Sequence, residues 1–112
     1  MNFENQTALV CGASQGIGLA TAQHLAGLGA RVIIMARNAQ KLEAAIQTLH
    51  DPTRHAFAVA DFSQPADVQE KIASIVANET VHILVNNTGG PAGGPIVEAA
   101  PEAFLRTFEQ HL

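Results

Sequence analysis

Thr7-Ala-Leu-Val-Cys-Gly-Ala-Ser-Gln-Gly-Ile-Gly-Leu19 carries the strongest structural signal in this chain. An apolar run of strand-forming residues is followed by glycines at positions 12, 16 and 18, and the pattern from Ile17 onward is helical. Glycines suit such a loop because side chains would keep a diphosphate away from the backbone N–H groups, while the start of a helix adds partial positive charge. The stretch therefore predicts a strand, a phosphate-binding loop and a helix N-terminus.

The spacing of these glycines is G-x-x-x-G-x-G, which differs from the G-x-G-x-x-G dinucleotide fingerprint. A glycine cluster of this kind also occurs in ordinary turns between a strand and a helix. The loop by itself therefore leaves both interpretations open, and the rest of the chain has to decide between them.

Composition limits the classes of protein to consider. The chain has 112 residues, of which 47% are hydrophobic, so we expect one globular domain. Its net charge of -4 and its scattered basic residues argue against a nucleic-acid partner. A single cysteine, Cys11, excludes an internal disulfide, and the five histidines show no metal-ligand spacing, so no metal site is predicted.

The N-terminus has neither a basic start nor an apolar core, and no apolar run approaches the roughly 18 residues of a membrane span. We therefore expect a cytoplasmic protein that does not bind membranes.

Apolar strand-like runs alternate with helical patterns along the chain. This alternation predicts an α/β fold with a doubly wound parallel sheet and helices on both of its faces. On the first helix we expect Ile17, Ala20, Leu25 and Leu28 to point inward. The predicted strands end at Cys11 or cover 31–36, 55–60 and 81–85, and the predicted helices cover 17–28 and begin near Asn38, Pro65 and Pro101.

Ligands of parallel sheets bind beyond the carboxyl ends of the strands. The loops expected at that edge hold the most polar and least sheet-like residues of the chain. These are 12–18, Arg37, Asp61 and 86–89.

At this point the chain resembles the N-terminal half of a short-chain dehydrogenase/reductase, over essentially all of its length. The run from Cys11 to Gly18 resembles that family's TGxxxGIG loop, Asp61 stands where the family has its adenine-contacting aspartate, and Asn86-Asn-Thr-Gly89 resembles its NNAG motif. Cys11 replaces a threonine of the first motif, and Thr88 replaces an alanine of the last. The resemblance implies a Rossmann-like sheet, incomplete at about four strands, in the order 3-2-1-4.

The resemblance also implies that the chain binds a nicotinamide dinucleotide. The glycine loop would hold its phosphates and ribose, Asp61 would accept a hydrogen bond from the adenine amino group, and Phe62 would contribute its backbone. The alternatives are that Asp61 is a loop or helix-capping acid and that Asn86 satisfies loop backbone groups. The implied cofactor-binding residues are Gly12, Ser14, Gln15, Gly16, Ile17, Gly18, Arg37, Asp61, Phe62, Asn86, Thr88 and Gly89.

The end of the second predicted strand bears on the choice of cofactor. An acid there would accept the ribose 2′-OH of NAD and repel a 2′-phosphate, whereas a cation suits NADP. This chain has Ala36 at that position and then Arg37, so we predict NADP(H) in preference to NAD(H). The alternative is that Arg37 is a solvated loop cation.

The chemistry of the family requires a tyrosine as general acid and a lysine four positions further on. This sequence has no tyrosine, and Lys41 and Lys71 belong to early helices. His111 falls near the position of the family's helix asparagine. We assign no catalytic residue and expect 1–112 to be an NADP-binding Rossmann-type half domain, truncated before the catalytic segment.

The parent reaction implied by the family is hydride transfer between NADP(H) and a carbonyl or alcohol substrate. The alternative function is a non-catalytic small nucleotide-binding module or an inactive fragment. In the implied strand order, 81–85 forms an open sheet edge, and Phe104 and Phe108 of the last helix lose packing. We therefore expect self-association or a homo-oligomer through this edge and that helix.

Overall fold

The computed structural model describes residues 3–87 and 96–98. Within these residues, five strands form one sheet in the order β3-β2-β1-β4-β5, and the pairings among β1 to β4 are parallel. The predicted α/β fold and the strand order 3-2-1-4 are confirmed. The strands are β1 (Thr7–Cys11), β2 (Arg31–Ala36), β3 (Ala56–Val59), β4 (Ile83–Asn86) and β5 (Ile96–Glu98); the helices are α1 (Gly16–Gly27), α2 (Ala39–Gln47) and α3 (Pro65–Asn78), with a 3₁₀ turn at Pro52–Arg54.

The edge of β4 is not open, contrary to expectation. β5 pairs with it in antiparallel register, with Leu84 opposite Glu98 and Asn86 opposite Ile96. The unpaired backbone groups of an edge strand accept any nearby extended segment, and Ile96 and Val97 are strand-forming residue types. The sequence analysis did not predict this short strand, because the residues before it are rich in glycine and proline. The predicted last helix from Pro101, with Phe104 and Phe108, lies outside the described residues.

The sheet separates two apolar clusters. Ala8, Val10 and Ile34 face α1 and α2 on one side, while Leu9, Cys11 and Met35 face α3 on the other. Both sides of β1 and β2 are covered, which explains why these strands are almost continuously apolar. The predicted helices on both faces are therefore confirmed. Burial raises the pKa of the Cys11 thiol, so it stays protonated as a small core residue.

Helix α1 presents a different face to the sheet from the one predicted. Leu25 is buried as expected, but Ile17 is 65% exposed and Ala20 is also exposed. The other buried positions of α1 are small: Gly18, Ala22 and Ala26. Small residues let the helix backbone approach the sheet closely, and this approach outweighed the pattern of larger apolar residues.

Two histidines accept hydrogen bonds from strand backbone at the amino edge of the sheet. His82 Nδ1 accepts from the Thr7 N–H at 3.0 Å, and His55 Nδ1 accepts from the Val32 N–H at 2.9 Å. His55 Nε2 lies 2.8 Å from the His50 carbonyl oxygen. Since Nδ1 accepts, Nε2 carries the proton, and His55 is neutral in the folded chain.

We expect the free energy of unfolding to fall as the pH drops below about 6.5. Burial of the His55 ring lowers its pKa from the ordinary value of 6.5. The unfolded chain then takes up a proton that the folded chain resists, so stability present above pH 6.5 is lost at lower pH. Urea unfolding between pH 7 and pH 5 measures this loss.

His55→Asn is the matched variant for this prediction, because an asparagine oxygen can accept from the Val32 N–H but does not titrate. Its unfolding free energy should depend less steeply on pH than that of the unchanged chain. Equal slopes for the two chains would exclude His55 as the source.

Candidate functional site

The carboxyl ends of the four parallel strands lie side by side. Cys11 of β1 is paired with Met35 of β2 and with Asn86 of β4, and Met35 is paired with Ala58 of β3. The loops that follow these strands therefore share one edge of the sheet, as predicted from the sequence. They bring together the glycine loop, Arg37, Asp61 with Phe62, and Asn86. Thr88 and Gly89 lie outside the described residues.

Two glycines of the loop have backbone conformations that side chains disfavour. Gly12 has φ +74° and Gly16 has φ +64°, both in the left-handed region. The Gly12 N–H donates to the Met35 carbonyl at 2.8 Å and so extends the β1–β2 ladder by one bond. The chain then turns away from the sheet and enters α1.

Gly18 allows α1 to contact this loop directly. A Cβ atom built on Gly18 would lie 2.1 Å from the carbonyl oxygen of Gly12 and 3.1 Å from the Cα of Ala13. Both neighbours are backbone atoms, which cannot rotate out of the way. The absence of a side chain at Gly18 therefore sets the distance between the first turn of α1 and the loop.

The first turn of α1 has neither a side-chain cap nor an acidic residue of its own. The N-cap Gln15 makes no side-chain hydrogen bond to the helix, and the turn contains no acidic residue. The N–H groups of a first turn have no partner within their own helix and carry partial positive charge. Gly16 has open space where a Cβ would stand. This combination fits a phosphate group of a bound nucleotide.

Two of the grooves formed by the described residues bear on where a ligand could bind. Ser14, Gln15 and Lys41 line the smaller one, of about 290 Å³, beside the glycine loop. The larger one, of about 660 Å³, lies at the amino edge and is lined by Gly29 and Arg54 among others. That edge also holds the C-terminal end of α1, whose partial negative charge disfavours anions. We therefore place the candidate site at the carboxyl edge.

Asp61 has a well-defined hydrogen-bonding environment. Its Oδ1 accepts from the Ser63 N–H at 3.0 Å and from the Ser63 hydroxyl at 2.7 Å. These two bonds lower the pKa of the Asp61 carboxyl, and the charge of Arg37 lowers it further. The carboxylate is therefore ionised at neutral pH, and its Oδ2 has no partner within the described part of the chain. Asp61 therefore acts as a loop acid through Oδ1, while Oδ2 can still accept a hydrogen bond.

The backbone of Asp61 is also held. Its N–H donates to Asp67 Oδ2 at 3.0 Å, and the other oxygen of Asp67 pairs with Lys71 Nζ at 3.2 Å. These contacts lower the pKa of Asp67. Sequence reasoning did not assign Ser63, Asp67 or Lys71 to the site. The available signal was an acid in the first turn of a helix, placed directly after a loop that already contains Asp61.

Asn86 is the last residue of β4 and is only 4% exposed. It lies opposite Cys11, and the next residue, Asn87, donates its N–H to the Cys11 carbonyl at 3.0 Å. Asn86 therefore reaches the carboxyl edge beside the glycine loop. Asn86 also has an interaction within the protein, which agrees with the structural role considered for it.

The sequence predicts neither a metal site nor a membrane span, and residues 3–87 and 96–98 can be compared with both expectations. No cluster of three potential metal ligands occurs there. None of the helices described is long and apolar enough to cross a membrane.

The sequence profile of the short chain dehydrogenase family matches residues 6–112 of this chain. A candidate ketoacyl reductase 1 of the granaticin polyketide synthase from Streptomyces violaceoruber is 40% identical over 94% of this chain and 39% of its own length. The short-chain dehydrogenase/reductase homologue YusS of Bacillus subtilis is 39% identical over 91% of this chain and 98% of its own length. The chain thus spans roughly two fifths of several curated relatives and nearly all of another.

A solved structure agrees with these sequence relationships. The 3-oxoacyl-(acyl-carrier-protein) reductase of Agrobacterium tumefaciens C58, solved with NADP bound, superposes with a TM-score of 0.71. The two chains are 33% identical, and the match covers 78% of this chain and 34% of the reductase.

Proposed function

Because the chain belongs to the short-chain dehydrogenase family, we propose that it is the dinucleotide-binding portion of an oxidoreductase. The observation that carries this proposal is the close packing of Gly18 on the Gly12 carbonyl, which sets the first turn of α1, without a side-chain cap, directly against the glycine loop. A nicotinamide dinucleotide has a diphosphate that matches this receptor.

Each part of the dinucleotide has candidate partners at the carboxyl edge. The backbone and side chains of Gly12, Ser14, Gln15, Gly16, Ile17 and Gly18 would hold the diphosphate and the nearby ribose. Ile17 is exposed at the first turn, where it can cover the ligand. Asn86, with Thr88 and Gly89, would bind further along the cofactor.

The adenine ring would lie against the loop after β3. Asp61 Oδ2 accepts hydrogen bonds, and the Phe62 N–H, which has no partner within the described part of the chain, donates one. Adenine presents the complementary pair, an amino donor beside a ring-nitrogen acceptor. This match supports Asp61 and Phe62 as adenine contacts.

We further propose NADP(H) as the preferred cofactor over NAD(H). β2 ends at Ala36, so no acid occupies the position that would repel a 2′-phosphate, and the exposed Arg37 follows directly. The guanidinium of arginine can donate two parallel hydrogen bonds to a phosphate. NADP in the related Agrobacterium reductase is consistent with this choice.

The parent reaction that we propose is hydride transfer between NADP(H) and a carbonyl or alcohol substrate. When bound, the nicotinamide supplies or accepts the hydride. The residues of this chain would bind and orient the cofactor, and no catalytic residue is assigned because the sequence has no tyrosine. Lys71 is paired with Asp67, and His111 lies outside the described residues. We propose 1–112 as the cofactor-binding half of such an enzyme.

A second candidate function is a short dinucleotide-binding module without catalysis. The Bacillus subtilis homologue favours it, because that protein matches over 98% of its own length. The reading frame beyond Leu112 distinguishes the two candidates. A Tyr-x-x-x-Lys motif encoded downstream supports the oxidoreductase, and a stop codon directly after Leu112 supports the module.

We also propose that the chain self-associates. Because β5 covers the edge of β4, this proposal now depends only on the predicted last helix. Sedimentation velocity tests it. We likewise propose a cytoplasmic location.

Titration calorimetry of the folded chain with NADP⁺ and with NAD⁺ tests the proposed function. We expect uptake of NADP⁺ and weaker uptake of NAD⁺. Tighter binding of NAD⁺ than of NADP⁺ would overturn the proposed preference for NADP(H) but not the proposed binding of a dinucleotide. If a chain with intact secondary structure took up neither dinucleotide, the proposed function would be wrong.

A further inference from the structure

The loop after β3 is held by a chain of polar contacts that runs back into α3. Lys71 Nζ pairs with Asp67 Oδ1 at 3.2 Å, and Asp67 Oδ2 accepts from the Asp61 N–H at 3.0 Å. Ser63 then fixes one oxygen of the Asp61 side chain through two bonds. Thus both the backbone and the carboxylate of Asp61 are oriented before any ligand arrives.

The contact with Asp67 also determines which N–H groups of the loop face a ligand. Because the Asp61 N–H already has a partner, it is not available as a second donor beside the carboxylate. The Phe62 N–H remains as the donor. The loop therefore offers the acceptor Asp61 Oδ2 beside the donor N–H of Phe62.

That order of acceptor and donor discriminates between purines. Adenine has an amino donor at C6 and an acceptor at N1, whereas hypoxanthine has a carbonyl acceptor at C6 and a donor N1–H. A carboxylate can only accept, so it opposes the hypoxanthine carbonyl. A site that leaves polar groups unpaired with the wrong ligand rejects it strongly.

From these contacts we propose that Asp67 is a positioning residue that makes the dinucleotide site selective for a 6-aminopurine. Asp67 acts through the Asp61 N–H and does not touch the ligand itself. This inference rests on the proposed function, because it concerns the adenine end of the same dinucleotide. It assigns selectivity to a residue of α3 that lies outside the loop.

Calorimetry with NADP⁺ and with nicotinamide hypoxanthine dinucleotide phosphate measures the selectivity. We expect the unchanged chain to bind the adenine form at least about tenfold tighter, as one hydrogen bond to a charged group provides. Asp67→Ala should lose most of that ratio, chiefly through weaker binding of the adenine form. Binding of the hypoxanthine form should change little, because the phosphate loop is untouched.

Two control variants separate positioning from general destabilisation. Glu70→Ala removes an exposed acid from the same helix and should keep the full ratio. Asp67→Asn keeps an oxygen acceptor for the Asp61 N–H and should also keep most of it. Should Asp67→Ala fail to fold, Asp67→Glu serves instead, since it retains the acid of the first turn but moves the carboxylate by one methylene; it should lower the ratio.

Each other outcome overturns a definite statement. A folded Asp67→Ala or Asp67→Glu chain with the full ratio overturns the role of Asp67. Equal binding of both dinucleotides by the unchanged chain overturns the adenine contact and with it the role of Asp67, while the phosphate loop stands. Binding of neither by the unchanged chain overturns the proposed function.

Discussion

Replacing Gly18 by alanine should abolish dinucleotide binding and lower the free energy of unfolding by about 1–3 kcal/mol, the usual cost of overpacking. The new Cβ would lie 2.1 Å from the Gly12 carbonyl oxygen, so α1 and the loop must separate. Separation moves the N–H groups of the first helical turn away from the phosphate position. Calorimetry with NADP⁺ and urea unfolding measure the two effects.

Gly27→Ala is the matched control, because it adds the same methyl group to the other end of α1. A Cβ at Gly27 has nothing within 4 Å. Alanine is the better helix former, so this variant should bind NADP⁺ normally and gain up to about 1 kcal/mol in stability. Normal NADP⁺ binding by Gly18→Ala would show that the close contact is not needed for the site. Circular dichroism should report near-normal helix and strand content in both variants.

Replacing Arg37 by alanine should weaken NADP⁺ binding by about ten- to a hundredfold and leave NAD⁺ binding nearly unchanged. The expected loss corresponds to one charge-assisted interaction with the 2′-phosphate, about 1.5–3 kcal/mol. NAD⁺ has a hydroxyl group at that position and gains little from the cation. Parallel titrations with the two dinucleotides measure the ratio.

Arg54→Ala controls for the change in net charge. Arg54 is an exposed cation at the amino edge of the sheet, where it donates to the Gly29 carbonyl at 3.1 Å. Its loss removes the same charge far from the loops of the candidate site, so the ratio of NADP⁺ to NAD⁺ affinity should stay constant. Unchanged binding of both dinucleotides by Arg37→Ala would mean that Arg37 is a solvated loop cation. Equal losses of both would mean that it contacts a part of the dinucleotide other than the 2′-phosphate.

The sequence pattern was sufficient to predict a parallel α/β sheet and the edge that holds the candidate site, whereas the strand order 3-2-1-4 came from the resemblance to the family. Two properties of the chain made this possible. Strands covered on both faces are continuous apolar runs, as in β1 and β2, and right-handed crossovers permit few arrangements of alternating strands and helices. The glycines with positive φ could also be anticipated, since few other residues tolerate that conformation.

Helix rotation and edge pairing could not be predicted in the same way. The apolar pattern of α1 pointed Ile17 inward, but the structure turns Gly18, Ala22 and Ala26 to the sheet. How closely two backbones approach depends on the segment that packs against the helix. The sequence of the helix itself gives no information about that segment. β5 was missed for a related reason, because a three-residue strand exists only where an edge is available to pair with it.

The α/β architecture, the glycine loop and the lack of a tyrosine that could act as general acid were all evident in the amino-acid sequence. The tertiary structure alone decided that Gly18 rests on the Gly12 carbonyl, that Asp67 holds the Asp61 N–H, and that His55 accepts from β2. The physical reason is that these interactions join residues at different separations along the chain. Backbone propensity and apolar periodicity act between neighbours in the chain, whereas contacts and hydrogen bonds between loops form only after the strands have brought distant segments together.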